Sequence, residues 1–135
     1  MAKHLAVVVL LVAGSLSCLA QESKEYQACN QKAVAQADLN ACASDEATRV
    51  DGQLNKVYGQ VLAAAAGDAD AVAKIKAAER AWVAYRDAYL EAMYPAKDKQ
   101  AEYGSMYLME VSLLSAKLTR QQIVALKEML QQYSG

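Results

Sequence analysis

Apolar residues recur at spacings of three and four along nearly the whole chain, and Pro95 is its only proline. This period is typical of amphipathic helices, whereas the strict alternation that marks strands is scarce. Once an N-terminal leader is set aside, about 115 residues remain, which is enough for one domain with its own core. The sequence therefore predicts an all-α fold, a small bundle of four to five helices forming a single domain over residues 21–135.

Turn and cap residues divide this pattern into five predicted helices. Ser44 or Asp45 can cap the second helix, because both side chains accept hydrogen bonds from free helical N–H groups. Pro95 ends the third helix, since proline disfavours helical geometry in the residue before it. Thr119 and Gln122 form a capping-box pattern at the start of the last helix. The predicted spans are about 24–42, 45–66, 69–93, 105–117 and 119 onwards.

The first twenty residues are typical of a signal peptide. Lys3 and His4 form a short basic start, an apolar run covers residues 5–12, and small or neutral residues lead to Ala20. The run is too short to cross about 30 Å of hydrocarbon as a helix. We therefore predict cleavage near Ala20, a periplasmic or secreted protein, and no membrane span. Lipid attachment at Cys18 is the alternative, although the leucine of its lipobox is displaced by one position.

Cleavage removes the only histidine, His4, and this excludes whole classes of function. A chain without imidazole lacks the commonest general base and metal ligand near neutral pH. We therefore predict a protein that is not an enzyme and has no catalytic residues, no metal and no cofactor.

The net charge after cleavage is slightly negative. Loss of Lys3 reduces the 14 lysines and arginines to 13, and these face 15 acidic residues, so the net charge is −2. Nucleic acid is not an expected partner, because it requires a basic patch.

Cys29 and Cys42 are the only cysteines after the leader. Disulfides persist in exported proteins, and an even cysteine count favours pairing. A bridge between them closes a loop of about 14 residues, for which chain entropy predicts roughly 3 kcal/mol of stabilisation. Two separate buried thiols are the alternative.

Two charged residues fall on the apolar face of the predicted third helix, on either side of Trp82. At about 100° per residue, Glu79 and Arg86 share that face with Val72, Ile75, Tyr89, Leu90 and Met93. Burying an ionised group costs several kcal/mol unless it is paired. Asp51 and Asn55, on the second helix, are the candidate partners. We predict a structural polar clasp of Asp51, Asn55, Glu79 and Arg86. The alternatives are a polar site that receives a ligand and a catalytic pair of Glu79 with Asp51.

Three tyrosines flank a charged segment in which the helical periodicity breaks. Tyr94 precedes it, Tyr103 and Tyr107 follow it, and Asp98 and Glu102 lie within it. Tyrosine is a common contact residue in protein interfaces, because it is amphipathic and has few rotamers. These five residues are predicted contacts for a protein partner. The alternative is that the tyrosines only cover the core, with their hydroxyls in water.

The order of these elements resembles the N-terminal domain of the lysozyme inhibitor LprI, an exported bacterial family. The resemblance covers about Cys29 to Leu130 and rests on Cys29, Cys42, Asp51, Leu54-Asn55, Tyr58, Ala81-Trp82, Tyr85-Arg86-Asp87, Gly104-Ser105 and Leu118-Thr119. It implies an all-helical periplasmic or cell-surface protein, with lysozyme inhibition in a namesake. It implies no shared catalytic residues.

The chain departs from the family pattern in two places. Many members carry a further cysteine pair, and the corresponding stretches here read Ala88-Tyr89-Leu90 and Leu113-Leu114-Ser115. Tyr103-Gly104-Ser105 stands where Gly-Gly-Ser is frequent. Both departures lie near the tyrosine-flanked segment, whose shape is therefore expected to differ from that of other members.

Three functions follow as hypotheses. The first is an exported protein that binds lysozyme or another cell-wall hydrolase and blocks it by occlusion. The second is an envelope structural or stress module, or an immunity protein for a periplasmic toxin, without lysozyme inhibition. The third is a hydrolase that uses Glu79 and Asp51.

Overall fold

A computed structural model describes residues 22–135, and this part of the chain is helical without strands. Its elements are α1 Lys24–Lys32, α2 Gln36–Ala64, α3 Ala69–Met93, α4 Lys99–Tyr103, a 3₁₀ turn Gly104–Met106 and α5 Tyr107–Ser134. The predicted all-α fold is confirmed. The predicted signal peptide and the alternative lipid-anchor site at Cys18 lie outside the described residues.

Helices α2 and α5 pack along most of their length and form the core. They run parallel, because their contacts advance together: Gln36 meets Met109 near the start of both helices, and Glu46 meets Arg120 further along. The buried apolar residues of this core are Val50, Leu54, Val57, Val61, Ala65, Ala71, Ile75, Ala116, Ile123 and Leu126. Two parallel helices require a connection that returns along the bundle, and α3 supplies it.

Both ends of α3 lie where the sequence predicts them. Asp68 caps its start, since its Oδ1 accepts hydrogen bonds from the backbone N–H groups of Asp70 and Ala71, both at 3.0 Å. Tyr94, the residue before Pro95, has φ −131° and ψ 70°, which is outside the helical region. Helix α3 therefore begins and ends through local backbone chemistry.

The prediction of one helix over residues 24–42 is wrong, because α1 ends at Lys32 and α2 begins at Gln36. The Cys29–Cys42 disulfide is present, with 5.7 Å between the two Cα atoms. A continuous helix would hold those atoms about 20 Å apart, so the bridge requires a break between them. The break is stabilised by Asp38, whose carboxylate accepts the N–H groups of Val34 and Ala35. These two backbone hydrogen bonds lower the pKa of Asp38.

Two predicted helix starts are also wrong. Ser44 and Asp45 lie inside α2, and Thr119 lies inside α5, which is continuous from Tyr107 to Ser134. The Thr119 side chain does not cap a helix, because it is fully buried and its Oγ1 donates to the Asp51 carboxylate at 3.2 Å. Tertiary contacts therefore override the local capping pattern.

A buried carboxylate, Glu46 on α2, joins three parts of the chain, and the sequence patterns did not reveal it. Its side chain is fully buried and accepts hydrogen bonds from the backbone and hydroxyl of Ser23. Arg49, one turn further along α2, and Arg120 of α5 both pair with it. Glu46 thereby holds the segment before α1 and helix α5 against α2.

Charge and hydrogen bonds around Glu46 together lower its pKa. Burial acts in the opposite direction and raises it, but the Ser23 hydrogen bonds and the positive charges of Arg120 and Arg49 outweigh burial. Ionised Glu46 therefore stabilises the folded protein above the unfolded-state pKa of about 4.3. This stabilisation is lost as pH falls through the lower, folded-state pKa.

Replacing Glu46 with glutamine should remove this contribution. We expect E46Q to destabilise the protein by about 3 kcal/mol at pH 7, because it leaves two partly buried arginines without their carboxylate. The difference from wild type should shrink as pH falls below about 4.3, because the unfolded chain then binds a proton while folded Glu46 is still ionised. Urea unfolding across pH 3–7 measures both effects. Glu128→Gln, on the exposed surface of α5, is the matched control. An E46Q deficit that does not change with pH would contradict this assignment.

Removing the Cys29–Cys42 bridge should destabilise the amino end of the bundle. We expect the double variant Cys29→Ser, Cys42→Ser to lose about 3 kcal/mol in free energy of unfolding, because the unfolded chain regains the entropy of an open loop. Urea unfolding of the wild type with and without a reductant provides the comparison. The reduced wild type and the double variant should then coincide, and equal stability of oxidised and reduced wild type would refute the prediction.

Candidate functional site

Arg86 of α3 lies beside Asp51 of α2 and is only partly exposed. Its Nη1 is 3.6 Å from Asp51 Oδ1, and its Nε donates to Asp87 Oδ1 at 3.0 Å. The guanidinium also lies over the Trp82 ring, 5.2 Å from the ring centre. Asp51 additionally accepts the hydroxyl of Thr119, so it contacts both neighbouring helices. This arrangement holds the second half of α3 against α2 and α5.

Glu79, one of the four predicted clasp residues, has a different partner. Its Oε2 accepts a hydrogen bond from Gln122 Nε2 of α5 at 2.9 Å, and its side chain is largely buried. Asn55 is exposed on α2. Arg86 and Glu79 thus have separate partners: Asp51 pairs with Arg86, and Gln122 binds Glu79.

Sequence reasoning missed two of these partners, Thr119 and Gln122. Their spacing fits a capping box, so both side chains were predicted to cap the start of a helix. The same spacing also places two polar side chains one turn apart on a helix face, and in α5 that face is directed at α2 and α3. Only the continuity of α5 distinguishes the two interpretations.

The apolar face of α3 is buried in its first half and exposed in its second. Ile75 is buried, and Trp82 packs partly buried against the core. Tyr89 and Met93, predicted on the same buried face, are 37% and 51% exposed. Helix α5 continues alongside this part of α3, since Tyr94 contacts Tyr107 and Glu110, but it leaves the side of α3 that carries Tyr89 and Met93 uncovered.

Tyr94, Tyr103 and Tyr107 form a cluster at the far end of α3, which we call the tyrosine cluster. Their ring centres are 5.2–5.9 Å apart, and Tyr94 meets the other two rings edge-on. All three side chains are half-buried. The Tyr103 hydroxyl accepts the backbone N–H of Ala96 at 3.1 Å, which fixes that ring against the turn after Pro95. The rings are therefore held in place before any partner arrives.

The segment predicted as a loop between these tyrosines contains a short helix, α4. Asp98 caps it by accepting the N–H of Ala101 at 2.9 Å. The Lys99 ammonium donates to Glu91 Oε2 at 2.9 Å and to the Tyr94 carbonyl at 2.8 Å. The hydrogen bond that Lys99 donates to Glu91 raises the pKa of Lys99, so this cation stays charged. Glu102 is exposed on α4 and forms no ion pair within residues 22–135.

The tyrosine cluster borders on acidic side chains. The Tyr94 hydroxyl donates to Glu110 Oε2 at 3.5 Å, and burial followed by the Glu110 charge raises the pKa of Tyr94. The Tyr94 hydroxyl therefore remains a neutral donor over the physiological range. With Glu102 exposed nearby, this end of the bundle presents hydrogen-bonding rings and negative charge to solvent.

Two further findings concern the described part of the chain. Residues 22–135 contain no group of three or more acidic, histidine or cysteine side chains that could hold a metal ion. None of the helices in that range combines the length and apolarity needed to cross a bilayer.

Comparison with known proteins places the chain in a family. It is 39% identical over 112 residues to an uncharacterized protein of Rhizobium meliloti (strain 1021), a match that covers 75% of this chain and 78% of the relative. No solved structure matches the chain. The family model described as lysozyme inhibitor LprI matches residues 27–126, which include the disulfide and most of the α2, α3 and α5 core. The chain belongs to the lysozyme inhibitor LprI family.

Proposed function

We propose that this protein is an exported single-domain inhibitor that binds lysozyme or another cell-wall hydrolase and blocks it by occlusion. The observation that carries the proposal is the family match over residues 27–126. The leader pattern of residues 1–20 and the Cys29–Cys42 disulfide support a periplasmic or secreted location, where such hydrolases are met.

The tyrosine cluster is the surface that we assign to the hydrolase. An interface gains affinity when its side chains lose little freedom on binding. Here the edge-on ring contacts and the hydrogen bond from Ala96 to Tyr103 already restrict the rings. Asp98 and Lys99 restrict the backbone beneath them. The cluster is thus a pre-ordered contact surface.

The charge beside the cluster supports a basic partner. Glu91 and Asp98 are engaged by Lys99 and by the backbone of α4, whereas Glu102 is exposed without an ion pair in the described chain. An unpaired carboxylate at an interface edge raises the association rate with a cationic protein and gives a salt-dependent affinity. Glu102 is therefore the residue on which we expect binding to depend most through charge.

Occlusion fits these residues better than hydrolysis does. Asp51 is engaged by Arg86 and Thr119, and Glu79 by Gln122, so both carboxylates have partners that hold the helices together. We propose no catalytic residue. The polar side chains of the predicted clasp are proposed to stabilise the packing of the helices.

Reversing the charge of Glu102 should weaken inhibition without affecting the fold. We expect E102K to raise the inhibition constant against a basic lysozyme about tenfold at low salt, with the effect reduced at high salt. Glu128→Lys changes the net charge equally on a distant part of α5 and is the control. Residual lysozyme activity on cell walls, titrated with each variant, gives the constants.

One experimental result would contradict the proposed inhibition. If the wild-type protein in micromolar excess leaves several lysozymes and other wall hydrolases fully active, inhibition by occlusion is wrong. Equal loss of inhibition in E102K and E128K would instead move the contact surface away from the tyrosine cluster.

A further inference from the structure

A groove of about 590 Å³ lies between α2 and α3, apart from the tyrosine cluster. Its volume is within the range of small-molecule sites in proteins. Ala84, at its end nearest the cluster, is about 15 Å along the α3 axis from Tyr94. The lining residues are Tyr58, Lys76, Glu79, Arg80, Val83 and Ala84.

The groove exists because α3 packs more closely on α5 than on α2. Tyr58 of α2 is partly buried against the core and forms one wall. Val83 of α3, 36% exposed, contributes apolar surface to the other wall. The space between them is bordered by an aromatic ring and an aliphatic side chain, and it is open to solvent.

Glu79 lies in this lining, and only one of its two carboxylate oxygens accepts a hydrogen bond from the described chain. The side chain is 9% exposed, and Gln122 donates to Oε2. The other oxygen, Oε1, accepts no hydrogen bond from residues 22–135, and no lysine or arginine nitrogen of that range lies within 4.0 Å of the carboxylate. This oxygen is accessible to solvent, because residues 22–135 contain no buried side-chain oxygen without a hydrogen-bond partner. Glu79 therefore offers an acceptor that a cationic donor would satisfy.

Two cations flank Glu79 on the same wall. Lys76 and Arg80 are four residues apart on α3, are both exposed, and form no ion pair within the described chain. Like charges at this spacing on a helix repel each other. An anionic group bound between them would relieve that repulsion.

We propose that the groove binds a small zwitterionic ligand of the amino acid or dipeptide class. Its ammonium group donates to Glu79 Oε1, and its carboxylate pairs with Lys76 and Arg80. An apolar side chain of the ligand lies between Tyr58 and Val83. The Glu79 carboxylate lies more than 4.0 Å from either cation, and a dipeptide, whose termini are up to about 7 Å apart, is the member of this class that we test.

The dipeptide alanyl-leucine is the probe for this site. Nuclear magnetic resonance titration of the disulfide-bonded protein should give saturable shifts at Tyr58, Val83 and Ala84, with a Kd on the order of 1 mM or lower. N-acetyl-alanyl-leucine lacks the ammonium group, and alanyl-leucinamide lacks the carboxylate. Each should bind about tenfold more weakly than the dipeptide.

Two variants separate the contributions of the two charged ends. Glu79→Gln retains a hydrogen bond to Gln122 and should weaken the dipeptide about tenfold while leaving the acetylated probe unchanged. The double variant Lys76→Gln, Arg80→Gln should weaken the dipeptide and leave the amide probe unchanged. Lys127→Gln, on the exposed surface of α5, is the control for a lost positive charge.

Two results would overturn the proposal. The first is the absence of saturable shifts at dipeptide concentrations on the order of 10 mM. The second is equal binding of all three probes, which would show that only the apolar walls hold the ligand. Because lysozyme inhibition is not part of the readout, these outcomes are independent of the proposed function.

Discussion

The parallel packing of α2 on α5 is the contact on which the rest of the structure depends. It buries the main apolar core, and Glu46 locks its register through Arg120. A second polar contact, from Thr119 to Asp51, lies five residues further along α2. Apolar side chains alone allow neighbouring helices to slide by a turn at modest cost, whereas buried polar pairs lose their partners if they shift. These pairs therefore select one register from several apolar alternatives.

The parallel arrangement of α2 and α5 constrains the length and direction of α3. The chain leaves α2 at one end of the bundle and must return to the other end before α5 begins, so α3 has to be long. Its last turns leave Tyr89 and Met93 exposed, although Tyr94 beyond them contacts Tyr107 and Glu110 of α5. The segment that joins α3 to α5 then packs its tyrosines on each other. The tyrosine cluster thus forms where the chain reverses between α3 and α5.

The two proposed binding surfaces depend on this same helix in different ways. The groove beside Glu79 opens where α3 packs on α5 and away from α2. The tyrosine cluster lies where α3 has ended and the chain reverses. The contact of Arg86 with Asp51 lies between them along α3 and joins α3 to α2. Both proposed surfaces therefore depend on where α3 packs and where it ends.

Local chemistry in the sequence determined the helical content, both ends of α3 and the choice of cysteines for the bridge. Asp68 and Pro95 act on the backbone next to them, so their effects need no tertiary partner. The break between α1 and α2 follows from the predicted disulfide, which a continuous helix cannot close, whereas the continuity of α5 and the role of Glu46 were decided only by tertiary structure. An arginine 74 positions away decides the role of Glu46, and no window of neighbouring residues contains that information. For the same reason Gln122, and not Asn55, is the group that binds Glu79.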